Sequence, residues 1–147
     1  MSGRSDRAEN MLMALSTFFR TSLSMDPSAD VSLAEEIAFQ RLYLDIEKVR
    51  FPDRLEVEID IPEQLEQARV PALILQPLIE NAIKYGVSQT TARVKLSIRA
   101  RFLDGGRMQL DVINEPAAAK ARAAGLEVVM SRKSRCRHRS MSRPRTS

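Results

Sequence analysis

Four polar side chains stand close together in a mostly apolar segment that runs from residue 76 to residue 86. They are Glu80, Asn81, Lys84 and Tyr85, and at helical spacing the last three share a face. An amide oxygen is a suitable ligand for Mg²⁺, an ammonium group suits a phosphate, and a phenol ring can stack on a base. In a plainer interpretation, Glu80 and Lys84 form a solvated ion pair and Asn81 is a polar residue near a helix end. Residue types alone favour this plainer interpretation.

The segment itself is predicted to be a short helix. Pro77 suits a first helical turn, the apolar pattern runs to about Tyr85, and Gly86 stands where a C-terminal cap belongs.

Two longer helices are predicted before it. Apolar residues recur at intervals of three and four over residues 5–24, which indicates one apolar stripe. Ser32 followed by Glu35 predicts a capping box that opens a second helix, from Leu33 to about Arg50. Because a short polar connector joins the two helices, they are expected to form an antiparallel hairpin. The hairpin has more apolar surface than one partner covers, so a homodimer is expected.

After Pro52 the hydrophobic period changes to two, which indicates strands. Residues 55–61 and 93–102 are predicted to be half-buried strands, and a turn at residues 104–106 leads to a third strand, 108–113. The outer face of the first strand is acidic and that of the second is basic. If the two strands are neighbours, these charges will pair across the sheet.

The charge of the chain is unevenly distributed. Residues 131–147 hold seven basic residues and no acidic one, whereas the rest of the chain holds 16 basic and 19 acidic residues. The mildly acidic body therefore has no electrostatic footprint for nucleic acid. The tail lacks the aromatic residues and the apolar helix face that nucleic-acid or membrane binding would favour, so a solvated, disordered end is predicted.

The chain is also expected to lie in the cytoplasm. No stretch approaches the roughly 20 apolar residues that span a bilayer, and the N-terminus lacks an apolar signal segment. The single cysteine, Cys136, has no internal disulfide partner.

The segment from Leu75 to Gly86 resembles the N box of LytS/AlgZ-type sensor histidine kinases, which share an ATPase superfamily with gyrase and the MutL proteins. Residues 31–36 and 41–51 resemble the dimerisation helix of that family. Arg54-Leu55 and Pro71-Ala72-Leu73 also fall where the family would place them. The resemblance spans about residues 8–115, with several motifs in order and at natural spacing.

The resemblance implies ATP and Mg²⁺ as cofactors and gives five residues a role. Asn81 is expected to coordinate the Mg²⁺ bound to the ATP phosphates, Lys84 to contact phosphate, and Tyr85 to border the nucleotide. Glu80, beside the metal ligand, is the candidate catalytic residue that polarises water or orients the metal shell. Asn114 stands where many superfamily members carry the aspartate that reads the adenine amino group, and an amide oxygen can also accept from that group. Alternatively, Asn114 is a turn residue that ends a strand.

Two parts of the family pattern have no match here. No residue corresponds to the phosphoacceptor histidine, since His138 lies among the arginines of the tail. The Gly-x-Gly-x-Gly-Leu segment, whose backbone amides approach the phosphates, is represented only by Gly125. The basic composition after about residue 125 suggests a truncated or frameshifted gene, in which another reading frame restores the glycine motif.

The predicted fold class is therefore α+β, an antiparallel helical hairpin followed by a partial α/β sandwich of the histidine kinase ATPase type. The predicted division is a dimerisation hairpin at 5–51, a partial ATP-binding domain at 53–116 and a divergent, disordered basic tail at 117–147. The resemblance implies a fragment of a two-component sensor histidine kinase, defective alone, whose intact relatives autophosphorylate a histidine with ATP and pass the phosphoryl group to a response regulator. Those relatives are often membrane-anchored. The alternative is a non-catalytic dimerisation or interaction module that regulates an intact kinase.

Overall fold

The computed structural model describes residues 2–26, 28–116, 122–129 and 137–141. Its helices are α1 (Ser2–Ser24), α2 (Leu33–Arg50) and α3 (Gln76–Tyr85), with short 3-10 turns at Glu63–Leu65 and Val87–Gln89. Its strands are β1 (Asp30–Ser32), β2 (Leu55–Asp60), β3 (Arg69–Pro71), β4 (Val94–Leu103), β5 (Arg107–Pro116), β6 (Arg122–Val129) and β7 (Arg137–Met141).

Helix α2 begins at the predicted capping box. The Ser32 hydroxyl accepts a hydrogen bond from the Glu35 N–H at 3.1 Å, and the Ser32 N–H donates to a Glu35 carboxylate oxygen at 3.2 Å. These two bonds satisfy amides that the helix itself leaves without partners. The helix ends where the Phe51 N–H donates to the Glu47 carbonyl, just before Pro52. The predicted bounds of this helix are confirmed.

Helix α1 contacts α2 through aromatic rings. Phe18 stacks on Phe39 with 5.1 Å between ring centroids, and its ring lies 5.8 Å from that of Tyr43. These contacts leave Phe18 half-buried, whereas Leu12, Met13, Phe19 and Leu23 on the same helix are exposed. That the two helices form a dimerisation hairpin stays a prediction.

Within the described residues, the larger sheet has the order β2-β4-β5-β6-β7. Strand β2 runs parallel to β4, and the other neighbours are antiparallel. The predicted turn between β4 and β5 is confirmed, with Gly105 and Gly106 both at positive φ. The predicted charge pairing is confirmed as well, because Glu58 on β2 forms an ion pair with Lys95 on β4.

One hydrophobic core joins the helices to this sheet. It contains buried side chains from α2, α3 and the strands β2, β4, β5 and β6, so the helices cover one face of the sheet. Among these side chains are Leu33, Leu44, Ile79, Ile83, Leu96, Ile98, Leu110 and Val128. The chain is therefore a mixed α/β fold, as the order of predicted elements indicated. No helix in the described ranges is long and apolar enough to cross a membrane.

Two parts of the predicted disordered tail are strands. Residues 122–129 pair with β5 as β6, and residues 137–141 pair with β6 as β7. Leu126 and Val128 alternate along β6 and are buried in the core, which explains why this strand joins the sheet. The alternation around Leu126 and Val128 is short, and the basic residues that follow it favour a disordered tail. The sequence therefore did not predict this strand. The rest of the tail lies outside the described residues.

Candidate functional site

The polar residues of the N-box segment lie on the outer side of α3. Ile79 and Ile83 are buried in the core, while Glu80, Asn81, Lys84 and Tyr85 are exposed. The helix has this orientation because its isoleucines, four residues apart, cover the sheet. The four predicted site residues on α3 thus form one exposed surface, here called the polar stripe.

Two contacts organise the polar stripe. The Gln76 side-chain N–H donates to a Glu80 carboxylate oxygen at 2.8 Å, one helical turn away. The Lys84 ammonium nitrogen lies 5.1 Å from the centre of the Tyr85 ring, a cation–π distance. The Lys84 charge therefore lies at the C-terminal end of α3, next to the phenol.

Asn114 lies at the inner side of the same helix end. Its side-chain N–H donates at 3.2 Å to the carbonyl of Ala82, which also accepts from the Gly86 N–H at 2.9 Å. Its side-chain oxygen is buried and has no partner among the described residues. Since a carbonyl only accepts, the amide nitrogen must face Ala82 and the amide oxygen must face away from it.

The interpretation of Asn114 as a turn residue is wrong. Asn114 lies within β5, opposite Leu96 on β4, and the strand continues to Pro116. The neighbouring glycine permits the close approach, because a Cβ atom on Gly86 would lie 1.5 Å from the Asn114 side-chain nitrogen.

Glu36, which the sequence did not single out, contacts the start of α3. It is fully buried, and its carboxylate accepts from the N–H groups of Leu73 at 2.9 Å and Leu75 at 3.2 Å, just before α3. The Gln40 amide also donates to it at 3.2 Å. Burial raises the pKa of Glu36, and the three hydrogen bonds oppose that rise. Helical periodicity gave no signal for it, since a glutamate in a first turn ordinarily faces solvent.

Tyr43 lies near Glu80 of α3, and Arg54 contacts the segment that follows α3. Burial, together with the nearby carboxylates of Glu47 and Glu80, raises the pKa of Tyr43 to about 12. Arg54 donates to the carbonyl of Val87 at 2.8 Å, immediately after α3. Only the family resemblance around Arg54 pointed to this residue from the sequence.

Gly125 does not lie in a phosphate-approaching loop. It is part of β6, opposite Asp111 on β5 and Met141 on β7. A Cβ atom here would lie 2.4 Å from an Asp111 carboxylate oxygen, so the glycine serves close packing within the sheet.

No group of three or more carboxylate, histidine or cysteine side chains that could hold a metal ion occurs in the described part of the chain. Asn81 nevertheless suits Mg²⁺ that arrives with a nucleotide, because such an ion keeps phosphate oxygens and waters and needs few protein ligands. The unpartnered oxygen of Asn114 suits an amino group. The donor set therefore fits a magnesium nucleotide.

Comparison with known proteins identifies the class. The family model described as Histidine kinase matches residues 1–55. Sensor histidine kinase BtsS of Escherichia coli (strain K12) is 46% identical over 108 residues, which cover 74% of this chain and 19% of BtsS. Sensor protein LytS of Oceanobacillus iheyensis is 34% identical over 99 residues, covering 67% of this chain and 17% of that protein.

Sensor histidine kinase/phosphatase LytS of Staphylococcus aureus (strain Mu50) is 35% identical over 81 residues, covering 55% of this chain and 14% of that protein. A solved histidine kinase domain from the Erythrobacter litoralis EL346 blue-light activated histidine kinase aligns with a TM-score of 0.44 and 15% identity, covering 75% of this chain and 52% of that one. The chain belongs to the LytS-type sensor histidine kinases and spans less than a fifth of the length of these LytS and BtsS relatives.

Proposed function

We propose that this chain supplies the dimerisation helices and the N-box side of the nucleotide site of a two-component sensor histidine kinase. The whole protein transfers a phosphoryl group from ATP to a histidine and then to an aspartate of a response regulator. In such reactions the protein contributes positioning and neutralisation of charge. Helices α1 and α2 form the dimerisation hairpin, and α3 with the sheet forms part of an ATPase-type sandwich.

One observation carries the proposal: the buried, unpartnered oxygen of Asn114 lies beside the helix that bears the polar stripe. A buried acceptor without a partner costs free energy on the order of 1–3 kcal/mol, so a ligand that donates to it is favoured. The bond to Ala82 holds the amide with its oxygen facing away from that carbonyl. We assign this oxygen to the amino group of adenine.

The polar stripe then receives the phosphates. The Asn81 amide oxygen is the protein ligand of Mg²⁺, the Lys84 ammonium contacts phosphate, and the Tyr85 ring borders the nucleotide. Glu80 orients the metal shell from the adjacent position. When bound, Mg·ATP supplies the phosphoryl group and the charge of the ion.

Binding by this chain alone is expected to be weak. In the intact family pattern, glycine amides approach the phosphates, whereas Gly125 lies inside a strand and has no such position. The phosphates of a bound nucleotide therefore lose those amide contacts. We expect an affinity for Mg·ATP well short of micromolar and no efficient phosphoryl transfer by this chain.

A titration with Mg·ATP, followed by nuclear magnetic resonance and calorimetry, tests the proposal. We expect millimolar nucleotide to shift the side-chain amides of Asn81 and Asn114, and Asn81→Ala to weaken these shifts several-fold. Asn10→Ala is the matched control, since Asn10 is exposed on α1. Absence of any shift on α3, or tight binding that Asn81→Ala leaves unchanged, would contradict the proposal.

A second candidate is a non-catalytic interaction module that pairs with an intact kinase. It is favoured by the exposed apolar side chains on α1, which include Leu12 and Phe19. Cross-linking with and without nucleotide separates the two functions. Pairing that is unaffected by Mg·ATP, together with no shift on α3, supports the interaction module.

A further inference from the structure

The start of α3 has no capping side chain of its own. Leu75 occupies its N-cap position and forms no side-chain cap hydrogen bond. Glu36, from the first turns of α2, supplies the missing acceptor: one carboxylate oxygen accepts from Leu73 N–H and the other from Leu75 N–H. A negative charge at this end of a helix also interacts favourably with the helix dipole.

The turn that Glu36 binds is strained. Leu73 has a φ of 64°, in the left-handed region where a residue with a Cβ atom pays a steric cost. Such a conformation persists only where its surroundings hold it. The hydrogen bond from the Leu73 N–H to Glu36 is one of the interactions that hold it.

Backbone hydrogen bonds tie the start of α2 to the same loop. The N–H of Leu33 donates to the Ala68 carbonyl at 2.8 Å, and that of Ala34 donates to the Glu66 carbonyl at 2.9 Å. Strands β1 and β3 pair alongside, with Val31 opposite Val70. Residues 29–36 and 66–75 therefore form one connected unit, here called the α2–α3 junction.

We propose that Glu36 is a positioning residue that transmits the placement of α2 to the polar stripe of α3. Its carboxylate sets where α3 begins, because it is the side chain that binds the amides at that point. A shift of α2 consequently changes the setting of Asn81 and Glu80 with respect to the sheet. The role of the stripe itself rests on the proposed function, whereas the mechanical link does not.

Residue-resolved amide hydrogen exchange on the full chain, without nucleotide, tests the link. Glu36→Gln keeps the side-chain length but replaces one acceptor oxygen with a donor, so it cannot satisfy both amides. We expect exchange at least ten-fold faster at Leu73, Leu75 and the first turn of α3, with little change in β4 and β5. Asp45→Asn is the matched control, because Asp45 is an exposed carboxylate on α2 outside the junction. Unchanged exchange over residues 73–79 in Glu36→Gln overturns the proposal.

Two further measurements cover the case in which Glu36→Gln fails to fold. In the unmodified chain, the amides of Leu73 and Leu75 must exchange far more slowly than those of exposed loops, and exchange at the loop rate overturns the proposal. Glu36→Asp keeps two acceptor oxygens, so it should protect both amides better than Glu36→Gln does. Equal loss of protection in both variants counts against a role for the carboxylate.

A parallel titration with Mg·ATP distinguishes the positioning role of Glu36 from the proposed nucleotide-binding function. If Mg·ATP shifts the Asn81 side-chain amide in the unmodified chain, Glu36→Gln should reduce that shift at least two-fold while the protein stays folded, and an undiminished shift contradicts the positioning role. If the unmodified chain shows no shift, the proposed function fails, and the exchange data alone decide the role of Glu36.

Discussion

At the end of α3, the Asn114 side chain occupies the space that a side chain on residue 86 would need. A Cβ atom on residue 86 would lie 1.5 Å from the Asn114 nitrogen and 2.5 Å from the Ala82 carbonyl oxygen. Gly86→Ala is therefore expected to lower the free energy of unfolding by about 1–3 kcal/mol. In an Asn114→Ala background the first of these contacts is gone, so Gly86→Ala should cost less there, with a coupling on the order of 1 kcal/mol.

Urea denaturation of the four proteins in this double-mutant cycle measures the coupling. Gly3→Ala is the control, because a Cβ atom there meets nothing within 4 Å. On helix propensity alone, Gly3→Ala should raise stability by up to about 1 kcal/mol. Additive effects of the Gly86 and Asn114 changes would show that the two side-chain positions do not share space.

Glu36 gives the stability of the chain a particular pH dependence. Burial raises its pKa in the folded state above the ordinary value of 4.5. The part of the folding stability that comes from this raised pKa is therefore fully present below pH 4.5. It is lost as the pH rises through the pKa of Glu36 in the folded state. The stability of the unmodified chain relative to Glu36→Gln should fall as the pH rises above 4.5, as measured by urea denaturation at several pH values. A difference that stays flat or grows would show that the pKa is not raised.

At the residue scale, the sequence predicted only local relations. Glu80, Asn81, Lys84 and Tyr85 lie together because helical spacing puts them on one surface. The bond from Leu75 to Glu36 joins residues 39 positions apart, and no local pattern contains it. For the same reason, the partner of Asn114 across the helix end could not be predicted, although the family resemblance singled out Asn114 itself.

At the scale of elements, the parallel pair β2 and β4 carries an exposed ion pair that can be measured directly. The hydrogen bond and charge of Lys95 lower the pKa of Glu58. Glu58 thus stabilises the folded chain at pH values above its unfolded pKa. This stabilisation is lost as the pH falls through the lowered pKa of the folded state. In Lys95→Met, the pKa of Glu58 should return toward 4.5.

Carboxyl resonances followed through an acid titration give this pKa. Lys48→Met, an exposed lysine on α2, is the control and should leave Glu58 unchanged. A Glu58 pKa that stays low in Lys95→Met would mean that the ion pair does not form in solution.

Elements with a strong periodic pattern were predicted well, and those without one were not. The capping box and bounds of α2, the alternation of β2 and β4, and the glycine turn before β5 are all local signals that the structure follows. Strand β6 has only a short alternation around Leu126 and Val128, so its burial depends on a sheet that already exists. Strand β7 lies in a basic sequence, and its pairing with β6 follows from an available sheet edge.

At the scale of the whole molecule, α1 has an apolar surface that nothing in the described chain covers. Leu12, Phe19 and Leu23 are 66%, 58% and 86% exposed and share one side of the helix. Because apolar surface of this kind is expelled from water, a homodimer through α1 is expected at tens of micromolar. Phe19→Glu should shift the population to monomer.

Light scattering on the two proteins measures this association. Phe102→Glu is the matched control, since Phe102 is 53% exposed on β4, outside the helices. It should leave the oligomeric state unchanged. A monomeric unmodified chain, or equal dissociation by both variants, would contradict association through α1.

The parallel pairing of β2 with β4 has a consequence for synthesis on the ribosome. The 33 residues between these strands must be translated before β4 begins, and β4 adds a further ten. At roughly 5–20 residues per second, the nascent β2 waits roughly two to nine seconds for its sheet neighbour. During this interval Leu55, Val57 and Ile59 depend on α2, which has already been made, for cover. A nascent chain stalled before residue 94 should therefore recruit chaperones more strongly than one stalled after β5 has emerged.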